Sequence, residues 1–121
     1  MFRFSRLYRL VSKQDFQSVF AKPSKVSRKY LLALYQPNQR SHARLGIIIG
    51  KHHVKRAVDR NRLRRILRES FRYQKEALKG LDIIVIIRSE CTALGGRSGN
   101  KVLRDDIDNL WHTLLTSLKP V

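Results

Sequence analysis

The stretch DIIVIIR, from Asp82 to Arg88, constrains the fold more than any other. Isoleucines and valine fill every position between the two charged ends, so a strand built from it has no polar face and must be covered on both sides. The rest of the chain has to supply that cover. A long helical pattern precedes the strand and closes at Gly80. A final helix, roughly Asn100 to Leu118, lines up Leu103, Ile107, Leu110, Trp111, Leu114 and Leu118 on one stripe. Upstream, Ser12 with Asp15 three residues on resembles a capping box, and Phe16, Val19 and Phe20 share one face of a short helix ending before Pro23. YLLALY (30–35) and RLGIIIG (44–50) have strand length and read as an antiparallel hairpin joined by QPNQRSHA. The order is αββαβα. The fold class expected is α+β: one domain over 1–121, a sandwich of helices on a small central sheet.

Charge is the second constraint. The formal net charge is +17, and residues 1–75 hold twenty of the 26 Lys/Arg but three of the nine acids. A merely soluble surface mixes the signs, whereas a polyanion-binding one gathers cations where phosphates will lie. Nucleic acid is the partner class this implies; a membrane surface is the alternative, and only the short N-terminal segment could supply the amphipathic helix it needs. No apolar run approaches 18 residues, and Arg3, Arg6 and Arg9 interrupt any signal-peptide core, so a soluble, cytoplasmic protein is expected. Cys91 stands alone, which excludes an intrachain disulfide and paired-cysteine metal spacings.

The cations converge on AVDRNRLRRILRESFR (57–72). At 100° per residue, Leu63, Ile66, Leu67, Ser70, Phe71 and Leu78 cluster on one side, and Asn61, Arg64, Arg65, Arg68 and Arg72 lie opposite. Val54, Ala57 and Val58 are out of phase with the later apolar residues, so the helix starts near Ala57 and KHHVKR (51–56) is an irregular basic approach. Asp59 and Glu69 alone offset the arginines, too few for an ordinary solvated face.

Other candidate sites are weaker. Asp106 and Asp108 in DDID sit about 160° apart on a helix and cannot converge on a metal pair, so these acids read as first-turn residues favoured by the helix dipole. GGRSGNK (95–101) lacks phosphate-loop spacing and reads as a turn before a helix. His52 and His53 have no ligand-spaced partner; they read as further basic contacts. No nucleophile, base and orienting acid assemble, and no catalytic residue is assigned.

The segment AVDRNRLRRILRESF, with RNR at 60–62, together with DFQSVF (15–20) and RLGIIIGK (44–51), closely resembles the protein subunit of bacterial ribonuclease P, over most of the chain from Arg6 onward. The resemblance implies a left-handed βαβ crossover and a catalytic RNA partner. It places contacts to that RNA on Lys51, Arg56, Arg60, Asn61, Arg62, Arg64, Arg65, Arg68 and Arg72. It places the single-stranded 5′ leader of precursor tRNA on Phe16 and Phe20, with Tyr30, sharing parity with Leu32 and Leu34, chosen as the strand aromatic facing the cleft. Guanidinium groups suit phosphates, and aromatic faces suit unstacked bases. The implied role is a protein cofactor of leader removal, with the chemistry in the RNA, Mg2+ required by the assembled ribonucleoprotein, no cofactor bound by the protein itself and no obligate protein partner. A ribosomal or RNA-assembly protein is the alternative; a protein-only nuclease lacks its carboxylate set.

Overall fold

The computed structural model describes residues 8–10, 12–50, 54–88 and 96–118, with side chains from residue 101 onward in the last segment. Helix α1 spans Lys13–Ala21, and its cap forms as the Ser12/Asp15 spacing predicts: Ser12 Oγ accepts from the Asp15 amide at 3.0 Å. Strands β1 (Ser24–Ser27), β2 (Leu31–Pro37) and β3 (Arg44–Ile48) follow, then α2 (Ala57–Gln74), β4 (Leu81–Ile87) and α3 (Gly96–Ser117). Helix α2 starts at the expected Ala57. Gly80 adopts φ +86, the left-handed conformation that turns the chain into β4.

The sheet order is β1-β2-β4-β3, and it corrects the expected hairpin. Segments β2 and β3 do not pair; β4 lies between them, antiparallel to β2 and parallel to β3. The apolar strand is therefore central, as its composition requires. The linker that looked like a hairpin loop is bound to β4 instead: the Asn38 amide donates to Gly80 O at 2.8 Å, and Asn38 Nδ2 donates to Asp82 Oδ1 at 2.9 Å. The hairpin that does exist joins β2 to β1, a four-residue strand with a single inward apolar residue, Val26, too little pattern to read from sequence. The order is thus αβββαβα. Because β3 and β4 are parallel, α2 is the crossover between them.

Alternation divides the strand residues between two faces. Leu31, Ala33 and Tyr35 of β2 join Ile83, Val85 and Ile87 of β4 in the larger core, closed by Leu63, Ile66, Leu67 and Phe71 of α2 and by Leu103, Ile107, Leu110, Trp111 and Leu114 of α3. The Phe71 and Trp111 rings lie 6.1 Å apart, and Trp111 Nε1 donates to Ser70 Oγ at 2.8 Å, which explains a serine within the apolar stripe of α2. Asp106 is buried mid-helix, accepting from Tyr30 N at 3.1 Å and Arg28 Nε at 3.3 Å. This corrects the first-turn reading of DDID: α3 begins nine residues before Asp105 and has no acid in its first turn. The opposite sheet face carries a smaller core of Leu10, Val19, Leu34 and Ile84 under α1. Among the described residues, no helix is long and apolar enough to cross a membrane.

Candidate nucleic-acid interface

Strand pairing lays the α1 side of the sheet out in rows. One row runs Lys25, Leu34, Ile84, Gly46; the next runs Ser27, Leu32, Ile86, Ile48. Helix α1 lies over the first row, where Val19 is fully buried. Phe16 seats on Gly46 so closely that a Cβ there would stand 2.6 Å from its Cζ. Glycine inside a strand pattern marks such close approach, a signal present in RLGIII. In the second row, Leu32, Ile48 and Ile86 are only partly buried, and Phe20, one turn beyond Phe16, is 45% exposed. The result is a groove with an apolar floor and an aromatic wall.

Polar ties fix α1 in place. The Arg44 guanidinium donates to both Asp82 oxygens, at 2.8 and 2.7 Å, and to Asp15 Oδ2 of α1 at 3.1 Å. The Asp82 hydrogen bonds hold the Arg44 pKa above its ordinary value, outweighing the burial that opposes them. On the other flank, Gln36 Nε2 donates to Ser18 Oγ at 2.9 Å. The basic rim is Arg88, which follows Ile86 by alternation and donates to Ser27 Oγ and, at 3.2 Å, to Arg28 O.

Tyr30 does not share this face. It precedes β2, in the turn where Arg28 N bonds Leu31 O, and its ring packs with the larger core on the other side of the sheet. Strand parity does not extend into a turn, so Leu32 and Leu34 line the α1 side without it. Tyr35 belongs to the larger core as well, so β2 supplies no aromatic to the groove.

The arginines of α2 do not act as one stripe. Arg65 and Asn61 are exposed, as is Arg56 ahead of the helix, 3.9 Å from Asp59. Arg60 folds back, donating to Val54 O at 2.9 Å and Lys55 O at 2.8 Å, so it ties the basic approach to the helix and does not point freely outward as expected. Arg62 is half-buried and its Nε has no hydrogen-bond partner among the described residues. Arg72 bridges Glu69 Oε1 at 2.7 Å. Arg64 and Arg68 gather with Arg9, which the Tyr8–Leu10 segment brings alongside β3 by pairing with Leu45. Burial, then the charges of Arg9 and Arg64, push the Arg68 pKa down. Arg9 had no sequence signal beyond its charge. Lys51 lies outside the described residues, as do His52, His53 and Cys91.

These features define a class, a small basic α+β protein with one closed and one half-open sheet face and a cationic crossover helix. Residues 4–115 match the sequence profile of the family described as Ribonuclease P. The chain is 44% identical over 113 residues to the ribonuclease P protein component of Pseudomonas paraeruginosa, covering 93% of this chain and 81% of that one. It is 43% identical over 115 residues to that of Pseudomonas putida strain GB-1, covering 94% and 83%. Its fold superposes on the ribonuclease P protein from Thermotoga maritima with a TM-score of 0.76 at 30% identity, covering 93% and 98% of the two chains. For the Staphylococcus aureus protein the score is 0.78 at 27% identity, covering 88% and 94%. The chain belongs to the ribonuclease P protein family.

Proposed function

We propose that this chain is the protein subunit of a ribonuclease P that binds two RNAs on two surfaces. Arg65, Asn61 and Arg56, with the Arg9–Arg64–Arg68 cluster, contact the phosphates of the catalytic RNA. The groove floored by Leu32, Ile48 and Ile86 takes the 5′ leader of precursor tRNA, with Phe20 offering its face to an unstacked base and Phe16 supporting it. The observation that carries this reading is the sheet face left open beside an exposed phenylalanine in a chain of net charge +17. Arg60 positions the basic approach, and Arg62 and Arg72 flank the contact surface.

The RNA supplies the chemistry in this reading. Among the described residues no three His, Cys, Asp or Glu converge, and the two buried carboxylates, Asp82 and Asp106, are committed to arginines and backbone or amide donors. Magnesium belongs to the assembled ribonucleoprotein, where it would screen phosphates as the cationic surface of this chain does. The compartment is the cytoplasm, and the chain acts as a single RNA-binding domain without an obligate protein partner.

The test is precursor-tRNA cleavage by a ribonuclease P RNA at low magnesium, with and without this protein. Stimulation that depends on a leader of several nucleotides is the expected result. Stimulation indifferent to the leader would favour a general RNA-assembly role, and cleavage by the protein without RNA would overturn the division of labour.

A further inference from the structure

A groove of about 390 Å³ opens between α2 and α3, on the other side of Arg72 from the arginines assigned to RNA contact above and lined by none of them. That is within the range of about 300–1,000 Å³ common for small-ligand sites. Ile66 and Ile107 give it apolar surface, and Tyr73 lines it while remaining 72% exposed, the largest exposure of any big apolar side chain among the described residues. The Arg72 guanidinium lies over the Tyr73 ring, 4.7 Å from its centroid, and donates to its hydroxyl at 2.9 Å. Tyr73 is thus held as a plate by a cation on the border of an open slot. Around it stand Gln74, Asp108 and Arg104. Asp108 is exposed and, among the described residues, has a single long contact, from Ser70 Oγ at 3.5 Å.

We infer that this groove takes one unpaired nucleobase bearing an exocyclic amino group, stacked on Tyr73. The inference rests on the RNA-binding reading above and adds a subsite to it. Stacking on an aromatic face is available to any base, and a guanidinium beside the ring strengthens such a platform in RNA-binding proteins. The polar groups narrow the choice. The Asp108 carboxylate on α3 only accepts hydrogen bonds, and so does that of Glu69 across the groove on α2, where one oxygen already takes a bond from Arg72, so the pair of carboxylates favours a base edge rich in donors. An exocyclic amino group brings two N–H bonds, whereas uracil brings one ring N–H. Arg104 is the one cation of the lining among the described residues and meets the phosphate of the bound nucleotide. The base comes from an unpaired position of either the catalytic RNA or the precursor tRNA.

The protein carries its own reporter, because its single tryptophan, Trp111, hydrogen-bonds Ser70, and Ser70 lines the groove. In one arm, free protein is titrated with cytidine and uridine decamers while Trp111 emission is followed. A saturable change is expected, at least about threefold tighter for the cytidine decamer, abolished in Tyr73→Ala and retained in Tyr73→Phe. Equal responses to both decamers, or an undiminished response in Tyr73→Ala, overturn the proposal. In the other arm, Tyr73→Ala is compared with the natural protein for binding ribonuclease P RNA alone, and precursor tRNA as the assembled holoenzyme. About tenfold weaker binding with an unchanged salt slope is expected in one of the two, and which one identifies the source of the base. No loss in either overturns the proposal. Failure of the natural protein to bind ribonuclease P RNA would count against the function proposed above, while the decamer arm still decides the groove. Tyr73 is exposed, so the variants fold, and an unchanged melting temperature verifies it.

Discussion

Along β4, Ile83, Val85 and Ile87 turn to one side of the sheet and Ile84 and Ile86 to the other, yet the two sides end differently. Every residue of the first set is at most 1% exposed, under helices of 18 and 22 residues. Among the described residues the second side has one helix of nine, about 14 Å long, which hides Ile84 and leaves Ile86, Leu32 and Ile48 half open. Between Ile83 and Ile87, β4 is apolar on both sides. Cover is decided by helix length and by where the polar ties of Asp15 and Ser18 hold α1, so an open apolar row here is a product of architecture and a candidate for a ligand to finish.

The comparison breaks most sharply on paired phenylalanine substitutions. Phe71→Ala on the closed side removes a ring with no exposure that contacts Trp111, and is expected to cost about 3–5 kcal/mol of stability in urea unfolding. Phe20→Ala on the open side is expected to leave most of that stability intact and to weaken precursor-tRNA binding by about 1–3 kcal/mol, sparing mature tRNA. If Phe20→Ala unfolds the protein as readily as Phe71→Ala, the open side is only a thinner core. Between these lies Arg44→Ala, which strands the buried Asp82 carboxylate and is expected to cost about 3 kcal/mol. Asp15→Asn removes only the α1 half of that cluster, so its stability loss is expected to be much smaller while leader preference falls. A smaller effect sharpens the same point: Gly46→Ala drives a methyl into the Phe16 ring and is expected to cost about 1–3 kcal/mol, relieved when Phe16 is shortened to leucine in the same chain.

Helix positions were largely legible in the sequence because their signals are local, though α3 begins at Gly96, inside the GGRSGNK stretch expected to be a turn. The Ser12 cap, the start of α2 at Ala57 and the α3 stripe need only a few neighbouring residues to express them. Pairing was not legible, because two strands of similar length and polarity look like a hairpin until a third competes for both. The apolar continuity of β4 held the answer, since a strand covered on both faces belongs in the middle. Tyr30 lies off the α1 face for a related reason: period-2 alternation holds only within a strand, and Tyr30 precedes the first residue of β2. The arginine face was half legible. The helical wheel gives directions, but it cannot show that Arg60 turns back to two carbonyls, or that a distant segment delivers Arg9 beside Arg64 and Arg68.

That last distinction gives the finest test, because Arg60 and Arg65 are both cations of α2 with different commitments. Arg65 is exposed, and its side chain makes no hydrogen bond or ion pair among the described residues. Arg65→Ala is therefore expected to leave stability within about 0.5 kcal/mol and to flatten the dependence of log affinity for ribonuclease P RNA on log salt by up to about one unit, the signature of one lost phosphate contact. Arg60→Ala loses two hydrogen bonds from a half-buried guanidinium to the carbonyls of Val54 and Lys55, so it is expected to lower stability by about 1 kcal/mol and to loosen the basic approach. Its salt slope then shifts only as far as the residues of that approach lose their own contacts. Melting temperature and salt-dependent binding, measured on both variants, separate the roles. Equal slope changes with equal, unchanged stability would mean that Arg60 leaves its carbonyls and reaches for phosphate when RNA is present, and that the sequence-level picture of a uniform stripe describes the bound state.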